Sequence, residues 1–267
     1  MKKLLSIVLI VVLSLSVLAG CSKKSSESNK IKIGVSSDPH APLVALVVDD
    51  LKKEGVEVEI IEFTDYVTPN LSLNNGDIDA NFFQHEPYLN DFNEKEKLDL
   101  VSLGKVHIEP MALYSYKYKT VEEIPDGAVI AIPNDTVNGG RALLLLEANG
   151  LLKLKDGVGY EANEKTDIVD NPKNIKFEAL EAAFLPKALS GIDAAIINGN
   201  YALEGGLNPV KDGLLIEGEE SPYANIIAVR SGEETQDRFV KLLKALQSEK
   251  IKKYIEENYD GAVVPAF

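Results

Sequence analysis

One cysteine in 267 residues, and three arginines among 28 cationic side chains, set the first limits on this chain. A lone thiol permits no disulfide within the chain and no thiolate metal cluster, since both need cysteines in groups. The histidines number three, His40, His85 and His107, and lie far apart in sequence, so no closely spaced metal motif arises and no metal is expected. No Gly-x-Ser-x-Gly elbow, His-Glu-x-x-His pair or Gly-x-Gly-x-x-Gly turn occurs. Carboxylates are abundant, but abundance does not pair them, and neither an enzyme nor a cofactor is expected. Excess positive charge is absent too: the formal net charge is −14, which excludes the basic patches of a nucleic-acid binder and a broad electrostatic membrane footprint. No apolar run reaches the ~20 residues that span a bilayer.

The longest apolar run, 4–18, is broken only by Ser6, Ser14 and Ser16, follows Lys2 and Lys3, and leads into Leu18-Ala19-Gly20-Cys21. A positive start, a short apolar stretch and small residues are the layout of a cleaved secretory signal. Ending on a thiol, it resembles the lipobox of bacterial lipoproteins, in which the cysteine is lipidated and becomes the new N-terminus. The expectation is a signal peptide over 1–20 and an acylated Cys21. A polar tether over 22–30 (SKKSSESNK) follows, with none of the apolar periodicity of a packed element. Loss of Lys2 and Lys3 with the leader takes the charge to −16. The expected location is the extracytoplasmic face of a cell membrane, held by lipid.

After residue 30, β-type runs alternate with helical patterns, which predicts an α/β chain with largely parallel sheets. Strands are expected near 31–36, 56–63, 78–83, 100–105, 111–118, 128–132, 175–179, 194–197 and 225–230. Helices are expected near 42–53, 66–74, 88–97, 140–149, 185–189, 235–246 and 249–258. Two βα series followed by a return segment suggest two lobes, 31–112 with 226–267, and 113–225.

Scarce residues at the ends of expected strands are the candidates for chemistry. Arg141 follows Val137-Asn138-Gly139-Gly140 and opens an apolar helix, where free N–H groups and the positive dipole end favour an anion. Glycines there would let a ligand approach the backbone, and arginine adds a two-pronged carboxylate clamp. Spacing alone leaves open that Arg141 pairs with an internal acid. The segment Asn81-Phe82-Phe83-Gln84-His85-Glu86-Pro87-Tyr88 ends a strand and enters a helix, where ligands of open α/β sheets gather. Asn198 and Asn200 follow another strand. Asn225 lies near Tyr223 at an expected crossing, and Tyr66 sits in a strand-to-helix turn. Each of these taken alone is as compatible with a structural role.

Together, IKIGVSSDPHAP, NFFQHEPYL, IPNDTVNGGRALLLLEANGLL, INGNYALEGGLNP and SPYANIIAVR resemble the methionine-binding lipoprotein family, the NlpA/MetQ-type solute receptors of ABC importers. The resemblance implies a two-lobed, type II periplasmic-binding-protein-like α/β fold with the ligand cleft between lobes. It implies a receptor delivering L-methionine, or a close relative, to a membrane permease. It places the carboxylate-binding arginine on Arg141 and the ligand asparagines on Asn138, Asn198 and Asn225. The aromatic and histidine wall falls on Tyr66, Phe83, His85 and Tyr88. A different small amino acid or a methionine-containing dipeptide is the alternative ligand, a metal-dependent hydrolase the remoter alternative, and a monomer the expected state. Cys21→Ala is expected to move the protein from the membrane to the soluble fraction with ligand affinity unchanged. Fractionation and calorimetry check this; membrane retention would remove the anchor assignment.

Overall fold

A computed structural model describes residues 29–218 and 221–267. The expected signal peptide, Cys21 and the tether as far as residue 28 lie outside the described residues. The elements begin with β1 (Lys30–Val35), α1 (His40–Lys53), β2 (Glu57–Glu62), α2 (Thr68–Asn75), β3 (Ala80–His85), α3 (Glu86–Glu96) and β4 (Leu100–Ile108). Next come β5 (Ala112–Tyr114), β6 (Val129–Pro133), α4 (Thr136–Ala148), β7 (Lys153–Leu154), β8 (Ile168–Asp170), β9 (Lys176–Leu180), α5 (Leu185–Ala188) and β10 (Ala194–Ile197). The chain finishes with α6 (Gly199–Glu204), α7 (Pro209–Asp212), β11 (Leu215–Ile216), β12 (Ala224–Arg230), α8 (Asp237–Leu246), α9 (Glu249–Asn258) and β13 (Val264–Pro265).

Two sheets organise these elements, in the orders β13-β4-β12-β3-β1-β2 and β11-β5-β10-β6-β9, with β7 and β8 forming a small ladder apart. The chain passes between sheets twice, over 109–111 and 217–223. Ala112 already belongs to the second sheet and Ala224 and Asn225 to the first. Strand directions follow from those crossings. β1, β3, β6 and β10 end near them, and β1 pairs in parallel with β2 and β3, as β6 does with β9 and β10. β12 and β5 start from the crossings, so each must run antiparallel to the strands ending there. The sheets are therefore mixed, not largely parallel.

Local choices agree with this layout. Ile31, Ile33 and Val35 alternate along β1 and are fully buried, as a strand covered on one face requires. On α1 the buried positions His40, Leu43, Val44, Val47 and Leu51 recur at three- and four-residue spacing, giving one apolar stripe. Phe239, Leu242 and Leu246 of α8 close the same core, which includes Phe82 of β3. A second core forms around Leu143 and Leu146 of α4 with Ile130, Ile132 and Ile196. Between Ser115 and Tyr118 the expected strand gives way to a turn, because the Ser115 hydroxyl accepts the backbone N–H groups of Lys117 and Tyr118.

Phe82 is the side chain whose loss tests the first core most directly, since it also packs edge-on against the rings of His40 and His107. Phe82→Ala is expected to reduce stability by about 3–5 kcal/mol. Denaturant melts would measure it; a change under about 1 kcal/mol would show that the core collapses to fill the gap.

Candidate functional site

The carboxyl ends of β3, β6 and β10 meet the starts of β5 and β12 at the two crossings, the place where α/β sheets offer a crevice. A cavity lies there, enclosing about 340 Å³ of space between atoms with its solvent-facing mouth included. Tyr66, Phe83, His85, Tyr88, Asn138, Arg141, Asn198 and Asn225 all line it, so the structure gathers the eight residues on which the resemblance places the ligand, while Phe82 lies in the first core and Tyr223 lines a separate groove. Gln84, Glu109, Gly199 and Asn200 complete the wall.

His85 stands at the last position of β3 and caps α3: its Nδ1 accepts the Tyr88 backbone N–H at 3.2 Å. That contact leaves the proton on Nε2, which donates to Asn138 Oδ1 at 3.3 Å. Burial, reinforced by the nearby Arg141 cation, pushes the His85 pKa down to about 3, so the ring is neutral. Tyr66, Phe83 and Tyr88 form a ring-lined wall beside it, with Tyr66 5.9 Å from each of the other two. The Tyr88 hydroxyl donates to the Tyr66 carbonyl at 3.0 Å, and the Tyr66 hydroxyl donates to Asn200 Oδ1, so both polar tips are satisfied.

Arg141 is differently placed from the sequence expectation. α4 starts at Thr136 rather than near 140, because the Asp135 side chain caps it, accepting the Asn138 backbone N–H at 2.9 Å. The helix start therefore already holds a carboxylate of its own. The two glycines serve packing, not ligand approach. A Cβ on Gly139 would lie 2.8 Å from the Pro133 carbonyl oxygen, and one on Gly140 only 2.0 Å from that of Tyr160. Arg141 itself is buried and does pair with an internal acid. Its Nε and Nη2 donate to the two carboxylate oxygens of Glu217, the first at 2.8 Å, and Nη2 also donates to the Glu109 carbonyl at 3.0 Å. The guanidinium lies 4.2 Å over the Tyr223 ring.

The asparagines divide by what they have left to offer. Asn138 is engaged throughout: its Nδ2 donates to both Asp135 oxygens, and its Oδ1 accepts from His85 and from Asn198 Nδ2 at 2.8 Å. Asn198 Oδ1 and Asn200 Nδ2 are buried with no partner among the described residues. Asn225 stands opposite His85 on β3 and His107 on β4, where the β12 ladder shifts register, a device that re-aims side chains. Its Oδ1 lies 3.1 Å from His40 Nε2.

His40 and His107, distant in sequence, converge on the buried Glu109, with Nε2 atoms 3.3 and 2.7 Å from Oε1. The ligand atoms of this trio lie within 4.8 Å of one another. A metal-bound histidine normally passes its other ring N–H to an acceptor, and the Nδ1 atoms of both rings are buried without a partner. The His107–Glu109 distance is that of a hydrogen bond, whereas the one Nε2–H of neutral His40 goes to Asn225 Oδ1 and its approach to Glu109 is the longer contact. Burial lowers the His40 pKa to about 4 and that of His107 to about 3, and raises that of Glu109. Sequence reasoning missed Glu109 and Glu217 because they are two among 42 acidic residues, with nothing in local pattern to mark them.

Residues 31–267 match the family model described as NlpA lipoprotein. This chain belongs to that family. It is 43% identical over 258 residues to "Membrane lipoprotein TpN32" of Treponema pallidum, covering 96% of this chain and 95% of that one. It is 42% identical over 252 residues to "D-methionine-binding lipoprotein MetQ" of Escherichia coli K12, with 92% of each chain covered. Among solved structures it is similar to "a nutrient binding protein from Burkholderia cenocepacia bound to methionine", with TM-score 0.85 and 45% identity over 89% of this chain and 100% of that one. The two-lobed α/β fold expected from the sequence is shared with these relatives. No helix among the described residues is long and apolar enough to cross a membrane.

The three neutral histidines impose a pH dependence. Each folded pKa is below the ordinary 6.5, so on acidification the unfolded chain takes up protons first. Stability that is fully present above pH 6.5 is therefore lost as pH falls toward 4, by about 1.4 kcal/mol per pH unit for each histidine. Glu109, whose pKa is raised, offsets part of the loss. Chemical denaturation at pH 7 and pH 5 is expected to show the lower stability at pH 5; equal values would mean that the rings are not held neutral.

Proposed function

We propose that this protein is a lipid-anchored, extracytoplasmic receptor that captures methionine in the cavity between its sheets and delivers it to an ABC importer. The observation that carries the reading is the pairing, in one small cavity, of an unpartnered buried acceptor with a cationic donor and a ring-lined wall. Asn198 Oδ1 is the acceptor for the ammonium group. Arg141 is the donor for the carboxylate, and Asn225, whose oxygen faces His40, presents its amide N–H groups beside it. The thioether lies against Tyr66, Phe83, His85 and Tyr88, where sulfur gains about 0.3–1.5 kcal/mol per ring. Asn138, with every polar atom engaged, orients Asn198 and His85 rather than touching the ligand. No step of covalent chemistry is assigned.

The family, the methionine-bound neighbour and the MetQ relatives support this ligand class. A neighbour from Coxiella burnetii described as an ABC transporter, periplasmic substrate-binding protein supports the importer partner. The lipobox-like Leu18-Ala19-Gly20-Cys21 and the relative named a membrane lipoprotein support the anchor. A second reading, a methionine-containing dipeptide, is favoured by a neighbouring cavity of about 780 Å³ that shares Tyr66 and Tyr88 with the inner one.

Calorimetry of the full chain with L-methionine, D-methionine and methionyl dipeptides tests these readings, with mass spectrometry of ligand carried through purification as an independent check. Arg141→Ala is expected to lower methionine affinity by two to four decades, the equivalent of about 3–5 kcal/mol, because the ligand carboxylate loses its donor and meets a Glu217 carboxylate left without its partner. A thermal melt of the variant must accompany it, because Glu217 loses its partner at the same time. Near-normal affinity in a folded Arg141→Ala protein would remove the clamp assignment.

A further inference from the structure

The cation assigned to the ligand's carboxylate is already neutralised. Glu217 does not merely sit near Arg141. Its carboxylate takes the Nε and Nη2 edge of the guanidinium, the edge that makes a two-pronged contact. The Ser221 hydroxyl donates to Glu217 Oε2 at 3.0 Å, and the Met111 backbone N–H approaches the same oxygen at 3.5 Å. The Glu217 backbone N–H donates to the Met111 carbonyl at 2.9 Å, which fixes the residue at the crossing itself. The Glu109 carbonyl and the Tyr223 ring hold the guanidinium from two further directions. Only Nη1 has no protein acceptor among the described residues. An anion with this many donors is a standing part of the site, because displacing it would strip four contacts and leave a half-buried charge unpaired.

We infer that Glu217 is a specificity-determining residue: by neutralising and orienting Arg141, it narrows the site's preference for a free carboxylate over a neutral amide at the ligand's α-carboxyl position. The inference rests on the methionine reading above and concerns the chemistry of one end of that ligand. A free guanidinium in a buried site would select strongly for a carboxylate. A guanidinium paired with Glu217 offers only the two diverging N–H groups of Nη1, which one carboxylate cannot bridge, and a carbonyl oxygen satisfies either donor as a carboxylate oxygen does. A second feature agrees. Arg141, Glu217 and Tyr223 also line a separate, mostly apolar groove on the far side of the pair. The ion pair is thus a partition between two spaces rather than an open cationic surface.

L-Methioninamide is the probe that isolates this feature, since it differs from L-methionine only in carrying CONH₂ for the carboxylate. At pH 6 both amines are protonated and the site histidines are neutral. The full chain is expected to bind methioninamide within about a hundredfold of methionine. Glu217→Gln, which leaves Arg141 a free cation, should widen that gap by about tenfold or more. Glu217→Asp, which keeps the charge, should leave the gap near the wild-type value and serves if the Gln variant does not fold. A wild-type gap beyond about a hundredfold, or a gap unmoved in folded Glu217→Gln, would overturn the inference while leaving methionine binding intact. Failure of both ligands to bind the wild-type protein would remove the methionine reading and this inference with it.

Discussion

Glu109 is the residue on which the rest of the site depends, and it sits where the chain first leaves one sheet for the other. Its carboxylate takes a hydrogen bond from His107 and lies 3.3 Å from His40 Nε2, both rings being buried against the first sheet. Its carbonyl accepts from Arg141 of the second unit. Its Cβ lies where a side chain on residue 199 would have to go, since a Cβ there would come within 2.5 Å of it. Gly199 therefore opens α6 with no side chain, and the adjacent Asn198 and Asn200 can face the cavity from either side of that contact. One residue thus fixes a helix start, the orientation of one ring and one edge of the guanidinium.

The electrostatics of the cavity follow from keeping histidines neutral and cations paired. A buried ring that charges without a partner loses several kcal/mol of solvation, and the three rings escape this by remaining imidazoles. His85 then acts through directional bonds alone: it takes one N–H from Tyr88 and gives one to Asn138. Asn138 in turn donates an amide N–H shared between the two carboxylate oxygens of Asp135, the cap of α4. This chain from β3 through α4 to Asn198 joins the two sheets by neutral or singly charged links of fixed direction. Such a network orients an acceptor for an ammonium group without placing a full negative charge against it.

What the sequence made legible was the rare and the periodic. Arg141 stood out as one of three arginines, and the aromatic-rich turn from Asn81 to Tyr88 stood out by density, and both do line the cavity. The α/β class and most elements could be read from alternation and helical spacing, and the two-lobed arrangement from the family resemblance. The directions of β5 and β12 could not, because direction depends on where a strand enters a sheet, which no local pattern records. Nor could the purpose of Gly139 and Gly140. Glycine before an apolar helix suggests ligand approach, whereas here it admits the carbonyls of Pro133 and Tyr160, contacts made by segments distant or outside the helix. Glu109 and Glu217 were invisible for the opposite reason: their residue type is too common to carry a signal until packing singles them out.

The positions of these two acids also bear on how binding is linked to the arrangement of the lobes. Glu109 lies on the first crossing and Glu217 on the second, and between them they supply every protein hydrogen-bond acceptor found for Arg141. Arg141 itself rides on α4, packed into the core of the second sheet. Any change in the angle between the sheets is taken up by backbone rotation in the connecting segments, as in other hinged two-lobed proteins. Such rotation moves the acceptors relative to the helix that carries the donor. A ligand that drew on the N–H groups of Nη1 would therefore act on a group whose other acceptors lie on the two crossings. Linkage between the two requires no longer path than the side chain of one arginine.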